Sequence, residues 1–156
     1  MILILLGTQD SPFPRLMDQV EKAVQKLQLE DEIFAQVGVT DYASERMHIS
    51  KYFSPEEYER LFNEADLIIA HGGAGTLFQA MHLQKKVIAM ARLAEFGEHN
   101  DDHQVELVSK LAKGGYILDA HADVTRAIRK AQNFTPKPYD FSNQIVETVG
   151  KYIDEL

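Results

Sequence analysis

The stretch Ala70-His71-Gly72-Gly73-Ala74-Gly75-Thr76-Leu77-Phe78-Gln79 has the composition of a phosphate cradle. Asp66 to Ile69 ahead of it reads as a short buried strand, and Leu77 to His82 behind it reads as a helix, so the glycines fall on a strand-to-helix turn. Without Cβ atoms, Gly72, Gly73 and Gly75 let backbone approach a ligand, and the first N–H groups of the helix are unpaired at the positive end of its dipole. Thr76 adds a hydroxyl, Ala74 lies between the glycines, and His71 is placed to contact a phosphate or to orient the loop. A tight turn would also want glycine, but three in four positions between a strand and a helix favour a ligand. A dinucleotide fingerprint is weakened: Phe78 occupies its third glycine place and the loop comes halfway along the chain, although Glu95 lies about 20 residues downstream, where a ribose-binding acid would sit. A Walker loop is excluded because no Gly-Lys-Ser/Thr follows.

A second polar set runs Arg92-Leu93-Ala94-Glu95-Phe96-Gly97-Glu98-His99-Asn100-Asp101-Asp102-His103-Gln104. Any one of these residues would suit a solvated loop. As a set they offer a fixed cation with several donors and acceptors, which is what a sugar with many hydroxyls requires beside a phosphate. The types at His99, Asp101, Asp102 and His103 fit zinc or manganese, but adjacent residues opening a helix do not share a face, so no metal site is expected. No Ser-His-Asp or activated-nucleophile pattern is present, which leaves group transfer from a bound nucleotide.

The elements that must hold these segments alternate. Met1 to Leu6 reads as a central buried strand, and Gly7 to Ser11 as a loop. Pro12 and Pro14 suit the first turn of a helix to about Leu29, with Leu16, Val20, Val24 and Leu27 on one face. Ile33 to Gly38 and Met47 to Phe53 read as strands. Ser54-Pro55-Glu56-Glu57 is a capping box opening a helix with Tyr58, Leu61 and Phe62. Lys86 to Ala91 is a fifth strand, and a helix from about Asp101 to Lys113 is stopped by Gly114-Gly115. Tyr116 to Leu118 is a sixth strand, Val124 to Gln132 is helical, and Phe141 to Leu156 reads as an amphipathic helix carrying Phe141, Ile145, Val149, Tyr152 and Ile153 on one side. That order predicts one α/β domain over residues 1–156, a doubly wound parallel sheet of Rossmann-like type. Ligands of such a sheet sit outside the carboxyl ends of the strands where the order reverses, so Gly7 to Ser11, His71 to Thr76 and Arg92 to Gln104 should converge on one crevice.

Composition narrows the partners. The chain has 156 residues, 45% of them hydrophobic, enough for a real core, and no stretch reaches the roughly 20 apolar residues of a membrane span. The absence of cysteine excludes disulfides and thiolate chemistry and suggests a cytoplasmic protein. A formal net charge of −8 argues against nucleic acid and against anionic lipid bound by charge alone.

His71-Gly72-Gly73-Ala74-Gly75-Thr76, Phe13-x-Arg15-Leu16 after Gly7-Thr8, and Arg92-x-x-x-Phe96-Gly97-Glu98-His99-x-x-Asp102-His103-Gln104 together resemble the C-terminal nucleotide-sugar domain of family 28 glycosyltransferases. The likeness runs from Gly7 to about Tyr116. Within that family it resembles the small catalytic subunits of two-part bacterial exopolysaccharide and capsule glycosyltransferases, and beyond them the UDP-GlcNAc transferase subunit of eukaryotic dolichol-linked glycan synthesis. The resemblance implies the C-terminal half of a GT-B glycosyltransferase: an inverting hexosyltransferase that needs no cofactor and takes its sugar from UDP-GlcNAc, UDP-Gal or UDP-Glc. It implies a lipid-linked saccharide acceptor and a membrane-anchored partner subunit that supplies the N-terminal half and the catalytic base. The chain would then lie at the inner face of the membrane through that partner, with a homodimer possible in isolation. Carried onto this chain, Gly72 to Thr76 hold the diphosphate with Thr8, His71 and Arg92. Gln79 stands where a relative has a ribose-gripping glutamate, and as a neutral group should grip less strongly. Asp102, His103 and Gln104 read the sugar, Glu98 and His99 face the site as candidate catalytic groups, and uracil lies near His48 to Phe53.

Overall fold

The computed structural model describes residues 1–141. Six parallel strands form one sheet in the order β3-β2-β1-β4-β5-β6, with β1 Ile2–Leu5, β2 Ile33–Gln36, β3 His48–Ser50, β4 Leu67–His71, β5 Val87–Met90 and β6 Leu118–Asp119. Pairing in register sets Ile4 of β1 beside Ala35 on one side and Ile69 on the other. The strand order reverses between β1 and β4, so the loops leaving those two strands flank the switch point. The expected doubly wound, Rossmann-like α/β sheet is the one observed.

Alternation along β1 explains why both faces are covered. Ile2, Ile4 and Leu6 point into a core with α1 (Pro14–Leu27) and α5 (Val124–Ala131). Leu3 and Leu5 point to the other face, packed by α2 (Pro55–Glu64), α3 (Ala74–His82) and α4 (His103–Lys113). On α1 the three-and-four spacing buries Leu16, Val20 and Val24, each contributing about 1.5–3 kcal/mol. Helix starts follow local chemistry: Ser54 accepts from the Glu57 amide to cap α2, and Asp123 from the Arg126 amide to cap α5.

Most strands are a residue or more shorter than read in the sequence, β3 most of all, and the second half of the chain differs further. The fourth helix begins at His103 rather than Asp101, because Asp101 and Asp102 instead accept from the amides of His103 and Ala94. The polar segment before it contains a 3-10 turn, Ala94–Phe96, closed by left-handed Gly97. The last strand is shifted to Leu118–Asp119, and Tyr116 leaves it to pack on Tyr139. Of the proposed terminal helix only Phe141 is among the described residues; it packs on Phe78 and His82. Among the described residues no helix is long and apolar enough to cross a membrane.

Candidate functional site

At the switch point a crevice of about 350 Å³ opens at the carboxyl ends of β1, β2 and β4. Gly7 and Thr8 line it from the loop after β1, His71 and Thr76 from the turn into α3, and Gln36, Tyr52, Phe53 and Tyr58 from the side of β2 and α2. Gly7 has no alternative: its φ is +83°, and a Cβ there would meet His71 Cε1 and Nε2 at 2.5 Å. Gln36 is buried, and its Oε1 accepts from the Phe53 amide at 2.9 Å, which ties the aromatic wall to the strand beside β1.

No side chain caps α3, whose N-cap is Gly73. The first-turn amides of Ala74, Gly75 and Thr76 therefore face outward at the positive end of the dipole, beside the Thr8 and Thr76 hydroxyls. Gly72 departs from expectation. Its amide donates to Gln104 Oε1 at 3.1 Å, and a Cβ on it would lie 2.7 Å from Val108 Cγ2. Gly72 is glycine because α4 packs against it, and its N–H is not available to a phosphate.

His71, at the end of β4, is buried, with Nδ1 3.3 Å from Gln104 Nε2. Burial, with Arg92 and His99 adding to it, lowers its pKa from 6.5 to about 3, so the ring is neutral at physiological pH.

The Arg92–Gln104 segment does not line the crevice. It fastens the crevice's two loops from behind. The Arg92 guanidinium is buried and donates through one terminal nitrogen to the carbonyls of Ser11 and Glu98, and through the other to the Leu6 carbonyl at 2.5 Å. Burial lowers its pKa to about 10 against the opposing pull of Glu98, which leaves it charged at neutral pH. Arg92, expected at the diphosphate, is not among the residues lining the crevice; its terminal nitrogens bind backbone oxygens that would otherwise be orphaned, and they hold the loop after β1 in place.

Glu98, expected to face the site, is likewise engaged by the protein's own groups. It is 4% exposed, accepts two bonds from Arg15 (Nε at 3.0 Å and a terminal nitrogen at 2.9 Å), and also takes the Leu93 amide. A carboxylate so engaged anchors a loop. The Arg15 guanidinium also lies 5.1 Å from the centroid of exposed Phe96. His99 is buried, with Nδ1 3.2 Å from Asp101 Oδ1, and does not line the crevice.

None of the four expected ribose and sugar readers, Gln79, Asp102, His103 and Gln104, is among the residues lining the crevice. Gln104 is buried, and its Oε1 accepts from the amides of both Gly72 and Arg92. Asp102 accepts from the Ala94 amide, and His103 pairs with Asp101. Gln79, exposed on α3, has its Oε1 3.3 Å from the hydroxyl of Tyr58, which does line the crevice. Among the described residues no three His, Asp or Glu side chains are grouped to hold a metal ion. The sequence reading missed Gln36 and Tyr58 as crevice residues; a polar residue ending an otherwise apolar strand was the available signal for Gln36.

Residues 1–155 match the family model described as the glycosyltransferase family 28 C-terminal domain. Among solved structures, the NMR solution structure of ALG13 superposes with a TM-score of 0.65 at 16% identity, covering 99% of this chain and 96% of that one. Spinosyn rhamnosyltransferase SpnG complexed with thymidine diphosphate gives 0.56 at 17% identity, over 99% of this chain and 40% of that one. Acinetobacter baumannii MurG gives 0.51 at 18%, over 95% and 49%. At these identities the likeness is one of fold, and the chain spans less than half of the two longer proteins. No curated protein matches the sequence significantly.

Proposed function

The chain belongs to the glycosyltransferase family 28 C-terminal domain family, and from that premise we propose that it is the UDP-sugar-binding half of a two-part hexosyltransferase. The observation that carries this reading is the crevice at the β1/β4 switch point, where the uncapped start of α3 faces the Thr8 and Thr76 hydroxyls and the neutral His71 ring. Gly73, Ala74, Gly75 and Thr76 then hold the diphosphate with Thr8 and His71, and the ribose and uracil lie toward Tyr58, Phe53 and Tyr52, with Gln79 at the rim.

In the proposed reaction a hydroxyl of a lipid-linked saccharide attacks the anomeric carbon from the face opposite UDP, giving inversion. The new C–O bond forms as the bond to the β-phosphate oxygen breaks, and the hydroxyl proton passes to a base. Charge grows on the departing diphosphate, and the amides and dipole already aimed there stabilise it without reorganising. With Glu98 held by Arg15 and His99 off the crevice, the base is assigned to the partner subunit, which also supplies the N-terminal half and the membrane attachment. The donor hexose is GlcNAc, galactose or glucose, and the setting is polysaccharide synthesis.

Titrating the purified chain with UDP in a calorimeter, then assaying transfer from each UDP-hexose to a lipid-linked acceptor with and without the partner, tests the reading. UDP binding by the chain alone and transfer only by the pair are expected. No detectable UDP binding would overturn the site, and binding without transfer by any pairing would leave a non-catalytic nucleotide-sugar-binding subunit.

A further inference from the structure

Gln104 carries more information than its place behind the crevice suggests. Its side-chain amide meets two backbone N–H groups, those of Gly72 at 3.1 Å and Arg92 at 3.0 Å. Only the amide oxygen can accept them, so the orientation of the amide is forced and its NH2 must be the end 3.3 Å from His71 Nδ1. An NH2 group can only donate. Nδ1 must therefore present its lone pair, and the proton of the neutral ring sits on Nε2. That nitrogen lies on the Gly7 side of the ring, where a Cβ would approach it to 2.5 Å, and Gly7 and His71 both line the crevice.

We propose that Gln104 is a positioning residue: it holds His71 as the Nε2-protonated neutral tautomer, so that the ring offers an N–H donor to the diphosphate crevice. The inference rests on the diphosphate reading of that crevice, and it assigns Gln104 to the second rank behind the ligand rather than to the sugar. It also accounts for a neutral histidine beside an anion. Arg92 from the end of β5 and His99 from the loop beyond both disfavour a charge on the ring, and Glu98 from that same loop is held by Arg15. The fixed tautomer supplies a donor without that charge.

The test uses the full chain. Long-range nitrogen–proton correlation spectra of the imidazoles, recorded without ligand, report which ring nitrogen of His71 carries the proton. The Nε2–H form is expected from about pH 5 to 8, and an Nδ1–H form in the unmodified protein would overturn the proposal. Gln104→Glu keeps an acceptor for the two backbone amides but gives Nδ1 no donor. His71 then protonates Nδ1, its pKa rises toward the neutral range, and the lone pair of Nε2 faces the anion. UDP affinity of this variant relative to the unmodified protein at each pH, a ratio in which the titration of UDP itself cancels, should fall about tenfold at pH 8 and recover toward pH 5 as the imidazolium forms. A ratio that does not change with pH would overturn the proposal, since a purely structural role for Gln104 predicts that flat profile. Should Gln104→Glu fail to fold, the spectrum of the unmodified protein decides alone. If the Nε2–H form is present but its resonance does not respond to UDP, the diphosphate reading fails and the tautomer assignment stands.

Discussion

Substituting Gly72 by alanine separates two reasons for a glycine in a phosphate-type loop. The added methyl would lie 2.7 Å from Val108 Cγ2, 3.1 Å from Gln104 Cβ and 3.2 Å from Gln104 Oε1. Val108 is 1% exposed and β-branched on a helix, so its methyl cannot swing away. The structure must shift α4, at a cost of about 1–3 kcal/mol for overpacking. For a chain of this size that lowers Tm by about 3–10 °C. Val108→Ala alone removes two buried methyls and costs about 1–3 kcal/mol. In the double variant the new methyl takes up part of that space, so the two effects should fall short of additivity by about 1–2 kcal/mol in urea unfolding at constant m. Costs that add to within about 0.5 kcal/mol, or a Gly72→Ala variant of unchanged stability that simply loses UDP, would refute the packing explanation and restore Gly72 to the ligand.

The buried imidazole makes stability depend on pH with a definite sign. His71 takes up a proton near 6.5 when unfolded but only near 3 when folded, so its contribution is complete above 6.5 and is lost as pH falls toward 3. Between 6.5 and about pH 5 the loss is about 2 kcal/mol, and His71→Gln should flatten the urea midpoint over that interval by a similar amount. Arg15→Met leaves the buried Glu98 carboxylate with only the Leu93 amide; because Arg15 is itself 22% exposed, the loss should lie at about 2–3 kcal/mol by chemical denaturation, at the low end for a broken buried pair. Thr76→Val, which keeps the shape and removes a hydroxyl from the crevice, should weaken UDP binding about tenfold by calorimetry while leaving Tm within a few degrees. Ser54→Ala, remote from the crevice, should cost about 1 kcal/mol through the lost cap and leave UDP affinity unchanged.

The order of strands and helices, the parallel sheet and the glycine turn ahead of α3 were all legible in the sequence. Each rests on a short-range regularity: apolar runs of strand length, the three-and-four spacing of α1, the Ser54 cap and the glycines between β4 and α3. Such signals are physical consequences of neighbours a few residues apart. What each polar side chain does was decided only by the tertiary structure. Arg92, Glu98 and Gln104 have the composition of a ligand site, and in the fold they are buried beneath it, satisfying the carbonyls of Leu6 and Ser11, the guanidinium of Arg15 and the amide of Gly72. Gly72 likewise is read locally as a phosphate glycine, yet the atom that forbids its Cβ belongs to Val108, across the chain on α4. Polar groups that bind a ligand and polar groups that brace the loops around it are the same residue types. Only the three-dimensional arrangement says whether their hydrogen bonds are already taken by the protein's own backbone.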